Sequence, residues 1–268
     1  MPATLFLKTS DKICLMKALK KENEKNTRNK NCFDMIELDK IYNEDCLDLL
    51  QSMPDKCVDF ICTDPPYLFE KRGGGKSQLS KRANVMRNNI DFIAHDFDYN
   101  GCYEQFLRIC KIPNMIIFCS NKQIGRTMTF FENKGLVATL LIWQKTNPIP
   151  TGNGVYISEC EFAVYVRDKG SCFNNDVPLE WKKKIYTSKI CPDGKLHPTM
   201  KPVDLIRRYI LVHTKPNDVV FDAFMGSGTT AIACIKEGRH FIGCEIDPKY
   251  YKLSLDRIEQ EKRTLTLF

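Results

Sequence analysis

Thr63-Asp64-Pro65-Pro66-Tyr67 closes an apolar run, residues 58–63 (VDFICT), that reads as a buried strand. Two successive prolines fix φ and remove two backbone donors, while their carbonyls stay free to accept. Asp64 adds a side-chain acceptor. The segment is therefore a stiff turn with two acceptors close together, ending in an aromatic ring. That arrangement suits an exocyclic NH2 of a nucleobase. Its hydrogens would go to Asp64 Oδ and the Pro65 carbonyl, leaving the nitrogen pyramidal and more nucleophilic. Tyr67 can stack on a base flipped out of the duplex, because a stacked base cannot enter a pocket.

A second segment, Phe221-Asp222-Ala223-Phe224-Met225-Gly226-Ser227-Gly228-Thr229-Thr230, joins a strand to a helix. Glycines let backbone approach a ligand closely, and the helix N-terminus favours an anionic group. Glu245 follows 19 residues after Gly226 and ends the next strand. A carboxylate there can accept from both ribose hydroxyls. The unit fits a nucleoside-containing cofactor. Gly226, Gly228 and Ala231 also satisfy the G-x-G-x-x-G/A pattern of nicotinamide and flavin enzymes, so this segment alone leaves both open.

The elements that must position these residues alternate. Residues 40–45, 58–63, 114–120, 138–145, 160–167, 219–223 and 240–245 read as strands. Residues 46–53, 99–110, 203–213, 229–237 and 250–262 read as helices. This is an α/β pattern with a mainly parallel sheet, in which ligands collect at the carboxyl ends of strands. Residues 138–145 and 160–167 are spaced to pair as an antiparallel edge. Residues 168–196 break the pattern and read as an insertion.

Bulk properties set limits. The 268 residues, 43% hydrophobic, suit one large domain. Apolar runs are too short for a membrane span, and no secretion signal is evident, which predicts a cytoplasmic protein. Thirteen cysteines without a C-x-x-C pair read as reduced, buried thiols rather than disulfides or a metal site. Net charge is +7. Residues 70–90 carry six basic side chains and one acidic, with three consecutive glycines. Lys71, Arg72, Lys76, Lys81, Arg82 and Arg87 thus read as a mobile basic arm, within residues 70–95, that grips phosphates.

Asp64-Pro65-Pro66-Tyr67, then His197-Pro198-Thr199-Met200-Lys201-Pro202, then Phe224-Met225-Gly226-Ser227-Gly228-Thr229-Thr230 together resemble the DNA amino-methyltransferases of restriction-modification systems. The catalytic segment precedes the cofactor segment, which is similar to the β class, circularly permuted relative to most methyltransferases. The resemblance covers about residues 38–262. It implies a Rossmann-like seven-stranded sheet with one reversed strand, S-adenosylmethionine as cofactor and double-stranded DNA as substrate. It implies catalytic roles for Asp64, Pro65, Pro66 and Tyr67. The implied cofactor residues are Asp45, Asp64, Lys201, Asp222, Phe224, Gly226, Ser227, Gly228, Thr229, Thr230 and Glu245. Asp45 would read the adenine, Glu245 the ribose, and Thr230 with Lys201 would lie near the carboxylate. Lys145 and Asn147 match an element at the target-base pocket and join the basic arm as DNA-binding residues.

Residues 168–196 match the position of a target-recognition region. That region is short, which suggests a short site or a homodimer; a companion restriction endonuclease is a further expected partner. Residues 1–37 form a basic extension with no counterpart, preceding a methyltransferase domain over 38–268. Cytosine C5 chemistry needs a Pro-Cys nucleophile, and the chain has no such dipeptide. The cytosine-N4 enzymes more often carry Ser where this chain has Asp64, which favours adenine N6.

Overall fold

The computed structural model describes residues 36–68, 97–148, 156–190 and 200–266. The chain divides after Glu37, and the fold belongs to the unit Leu38–Phe268. The basic arm, including Lys71, Arg72, Lys76, Lys81, Arg82 and Arg87, lies outside the described residues, as do His197, Pro198 and Thr199.

The strands are β1 Lys40–Tyr42, β2 Phe60–Thr63, β3 Asn114–Cys119, β4 Val137–Lys145, β5 Cys160–Arg167, β6 Ile185–Ser188, β7 Val219–Asp222 and β8 His240–Cys244. They form one sheet in the order β1-β8-β7-β2-β3-β5-β4-β6. Strand β5 runs antiparallel to both β3 and β4. The other neighbouring pairs are parallel. The α/β fold with one reversed strand stands as expected, with eight strands in place of seven.

The eighth strand is a correction to the reading of residues 168–196. Part of that segment, β6, pairs in parallel with β4 and forms the sheet edge. The β4–β5 pair is therefore not the edge. Four residues with alternating exposure among lysines carry too little apolar signal to announce a strand. A 3₁₀ turn, Leu179–Lys182, precedes β6. Buried Arg208 holds this turn in place by donating to the carbonyls of Trp181, at 2.6 Å, and Lys183.

The helices are α1 Cys46–Ser52, α2 Tyr99–Ile109, α3 Ile124–Glu132, α4 Val203–His213, α5 Thr229–Glu237 and α6 Pro248–Thr266. Helix α5 packs against both α4 and α6, and α1 packs against α2. Successive strand residues face opposite sides of a sheet. Val220 accordingly joins the core that includes Leu205, Ile210, Ala233 and Ile258 of α4–α6. Its neighbour Phe221 meets Phe106 of α2 edge-on, at 6.3 Å between ring centroids. Helix α3 escaped the sequence reading because it lacks a side-chain N-cap, starts Ile-Gly and mixes β-branched and aromatic residues. Its packing comes from Thr127 and Phe131, one turn apart and both buried.

Cys62, Cys119, Cys234 and Cys244 are buried free thiols. Among the described residues no helix is long and apolar enough to cross a membrane, and no His, Cys, Asp and Glu group is placed to hold a metal ion.

Candidate active site

Strands β2 and β7 are neighbours at the centre of the sheet. From β7 the chain proceeds outward to β8, and from β2 it proceeds the other way to β3. Such a reversal opens a crevice at the carboxyl ends of the two strands. Asp64 follows β2 and the glycine turn follows β7, and both segments border one cleft. Its lining includes Asp64, Lys201, Asp222, Phe224, Gly226 and Thr229.

Asp222 ties the two strand ends together. Its Oδ1 accepts from Thr63 Oγ1 at 2.8 Å and from the Phe224 amide at 3.0 Å. Its Oδ2 accepts from Thr230 Oγ1 at 2.6 Å. Burial pushes the carboxyl up to about 6, against the hydrogen bonds from Thr230, Phe224 and Thr63, which lower it. Sequence reasoning placed Asp222 and Thr230 at the cofactor; the structure joins them to each other.

The glycine turn needs its glycines. Gly226 and Gly228 sit at φ +52° and +81°, where side chains are strained. A Cβ on Gly228 would stand 3.0 Å from Ser254 Cβ. The Gly226 amide donates to Glu245 Oε2 at 2.8 Å, and the Asp247 amide donates to Oε1 at 2.9 Å. Burial raises the Glu245 carboxyl, and these two amides offset part of the rise. Asn43 bonds the Glu245 carbonyl at 2.7 Å, bringing the end of β1 beside that of β8. Asp45 caps α1 there, with Oδ1 accepting from the Leu47 amide at 2.8 Å. A glycine turn and a helix N-terminus on the cleft, with the partly exposed Glu245 carboxylate bonded to that turn, fit a nucleoside-containing cofactor such as S-adenosylmethionine.

The Asp64 segment differs from expectation in one detail. The Pro66 carbonyl is occupied: it accepts from Tyr99 Oη at 2.7 Å and from Gln123 Nε2 at 3.0 Å. Gln123 is itself fixed, its Oε1 accepting from Ser120 Oγ at 2.8 Å. The turn is thus clamped at the Pro66 carbonyl from α2 and from the start of α3.

Lys201 Nζ lies 2.5 Å from Asp64 Oδ2 and 3.1 Å from Glu161 Oε2. It also stands 5.3 Å from the Tyr67 ring centroid and 4.9 Å from that of Phe118. Burial pushes the Asp64 carboxyl up, with the Lys201 ammonium and the Tyr67 hydroxyl pulling against it. Burial also works to raise Glu161, but Lys201 and Lys145 overcome it and the net shift is downward. Lys201 stays protonated, because its two carboxylates outweigh its own burial. The pairing puts Lys201 on Asp64, in the cleft that Thr230 also lines.

Lys145 and Asn147, expected at the DNA, are engaged within the protein. Lys145 pairs with Glu161 at 2.6 Å, and Asn147 Oδ1 accepts from the Ile190 amide at 2.7 Å. Gln123, Tyr99 and Glu161 are the residues that sequence reasoning missed. A glutamate inside an apolar strand, CEFAVYVR, was the available signal for Glu161.

The DNA methylase family of N6 and N4 methyltransferases matches residues 58–256. The type II methyltransferase M2.DpnII of Streptococcus pneumoniae is 29% identical over 245 residues, covering 84% of this chain and 91% of its own. The crystal structure of the M1.HpyAVI–SAM complex is 29% identical, with TM-score 0.59 over 82% of this chain and 98% of that one. The cytosine-N4-specific PvuII DNA methyltransferase, 17% identical, shares the fold at TM-score 0.63 over 84% of this chain and 90% of its own. The enzyme acts on DNA and uses S-adenosylmethionine. With nearly its whole central sheet inside the matched span, this chain belongs to the DNA methylase family.

Proposed function

We propose that this enzyme methylates N6 of adenine in double-stranded DNA, on a base turned out of the helix. The observation that carries the reading is the position of Asp64 on the cleft that the glycine turn also borders, one strand away. Bound S-adenosylmethionine supplies an electrophilic methyl group on a sulfonium. Phe224, Gly226, Gly228 and Thr229 would hold its methionine part, Glu245 its ribose and Asp45 its adenine. Asp64 and the Pro65 carbonyl accept the two amino hydrogens of the target base and orient its nitrogen toward the cleft. Tyr67 offers a face for stacking. Positioning is the main contribution, so Asp64 need not be a strong base. Asp64 in place of serine supports adenine over cytosine.

For residues 168–196, the placement of β6 on the sheet edge supports a target-recognition role. Its short length supports a homodimer on DNA, and a companion restriction endonuclease completes the proposed partners. Residues 1–37 act as an extension outside the methyltransferase unit.

The test uses methyl-labelled S-adenosylmethionine and plasmid DNA from a methylase-free host. Hydrolysis to nucleosides and mass spectrometry should return N6-methyladenine. N4-methylcytosine would overturn the base assignment. Asp64→Ala should abolish transfer while leaving cofactor affinity within a few-fold, a loss of at least about 100-fold for a misplaced amine. Full activity in that variant would sink the mechanism.

A further inference from the structure

We propose that Glu161 is a positioning residue for methyl transfer: it shares Lys201 with Asp64, so that Asp64 keeps acceptor capacity for the target amino group. The inference rests on the reading of Asp64 as the amine acceptor.

Four charges alternate in a row. Lys145 lies 2.6 Å from Glu161 Oε1, Glu161 Oε2 lies 3.1 Å from Lys201, and Lys201 lies 2.5 Å from Asp64 Oδ2. The fold explains why they meet. Because β5 is reversed, its first residues, Cys160 and Glu161, lie at the end of the sheet where the parallel strands finish. Glu161 there pairs in register with Trp143, next to Lys145 at the end of β4. Lys201 enters from the segment before α4 and is 6% exposed. A buried ammonium requires compensating negative charge. Here two carboxylates supply it, and neither is left to neutralise the lysine alone.

Among the described residues, the charged and titratable groups facing Asp64 are Lys201, Tyr67, Glu161, Asp222, Cys62 and Cys119. Lys201 is the one cation in that set. If Glu161 loses its charge, Lys201 falls wholly to Asp64. The ammonium then competes with the amine for the carboxylate, and Asp64 stays ionised to lower pH. Removing Lys201 does the reverse, because burial and Glu161 then push Asp64 up against the Tyr67 hydroxyl alone.

The two variants therefore move one pH profile in opposite directions. The experiment measures single-turnover methyl transfer from pH 5 to 9 with the full-length enzyme, saturating S-adenosylmethionine and plasmid DNA. Glu161→Gln should slow transfer about 10–100-fold, as expected for a misplaced reactant. Its cofactor Kd should stay within about twofold of wild type, and its acid limb should shift to lower pH. Lys201→Met should shift the acid limb to higher pH. Adding Glu161→Gln to Lys201→Met should cost no further rate, because Glu161 acts through Lys201. A wild-type rate or an unmoved acid limb in Glu161→Gln overturns the proposal, as do losses that multiply in the double variant. If Glu161→Gln fails to fold, the charge-balanced Glu161→Gln/Lys145→Gln variant faces the same criteria. Asp64→Ala separates the two ideas. If it is active, the acceptor reading falls; if it is inactive while Glu161→Gln resembles wild type, only the role of Glu161 falls.

Discussion

Thr63 donates to Asp222 across 2.8 Å, joining residues 159 positions apart at the ends of the two central strands. The Ala223 amide in turn donates to Thr63 Oγ1 at 3.2 Å. One buried hydroxyl thus fixes the distance between the segment that holds Asp64 and the glycine turn. Thr63→Val keeps the shape and removes the hydroxyl, leaving the Ala223 amide without its acceptor. Stability should fall by about 1–3 kcal/mol. Urea unfolding checks this, and an unchanged midpoint would show that the strand ends hold together without the bond.

Asp222 should leave a signature in the pH dependence of stability. Its folded carboxyl sits at about 6, against an ordinary 3.8. Between those pH values the folded chain keeps a proton that the unfolded chain has lost. Stability therefore falls as pH rises through that window, and the cost is complete above about 6. The gap corresponds to about 3 kcal/mol at about 1.4 kcal/mol per pH unit. Asp222→Asn removes the titration. Its stability relative to wild type should rise by that order between pH 4 and pH 7. Parallel stability curves for the two proteins would refute the assignment.

The glycines of the chain differ in what they protect. Gly228 and Gly135 have nearly the same φ, +81° and +79°. A Cβ on Gly228 would meet Ser254 Cβ at 3.0 Å, whereas one on Gly135 meets nothing within 4 Å. Alanine at either position costs about 1–2 kcal/mol for the left-handed backbone. Gly228→Ala should cost about 1 kcal/mol more, from crowding against α6, on the scale seen for overpacked sites. Thermal unfolding of the two variants side by side gives the difference.

What the sequence made legible is local. Buried strands announce themselves by apolar runs, and the Asp-Pro-Pro-Tyr and glycine segments by residue types that backbone geometry demands. Asp64, Gly226, Gly228 and Glu245 are singled out this way as expected site residues. The pairing of Lys201 with Asp64 spans 137 positions, and no short-range pattern encodes it. Gln123 was hidden likewise, because its carbonyl partner on Pro66 is 57 residues away. Strand β6 depends on β4 for its existence, so its own four residues could not reveal it.

The basic residues divide into two groups with different expected salt behaviour. Neutralising Lys71, Arg72, Lys76, Lys81, Arg82 and Arg87 together should lower the slope of log affinity for DNA against log salt. The limit is about 0.9 per lost phosphate contact, or about 5 in all. Lys145 is held by Glu161 at 2.6 Å, and its neutralisation should leave the slope unchanged. Fluorescence anisotropy at several salt concentrations measures both. An unchanged slope in the sixfold variant would remove the arm from DNA binding.

Glu245 carries the last expectation, because it combines cofactor recognition with support of the turn. Its two oxygens take the Gly226 and Asp247 amides at 2.8 and 2.9 Å, yet each oxygen has a second lone pair to offer a ribose hydroxyl. Glu245→Gln exchanges one acceptor for a donor and removes the charge. Hydrogen bonds to a charged group are worth about 1.5–3 kcal/mol, so S-adenosylmethionine should bind about 10–100-fold more weakly. The single-turnover rate at saturating cofactor should change little, since Glu245 lies away from Asp64. Burial raises the Glu245 carboxyl above the ordinary 4.5, so wild-type affinity should decline on acidification earlier than an exposed glutamate would cause. The variant should lose that decline. Calorimetric titration with S-adenosylmethionine from pH 5 to 8 reads both effects, and a variant with the wild-type Kd and pH profile would show that the ribose is held elsewhere.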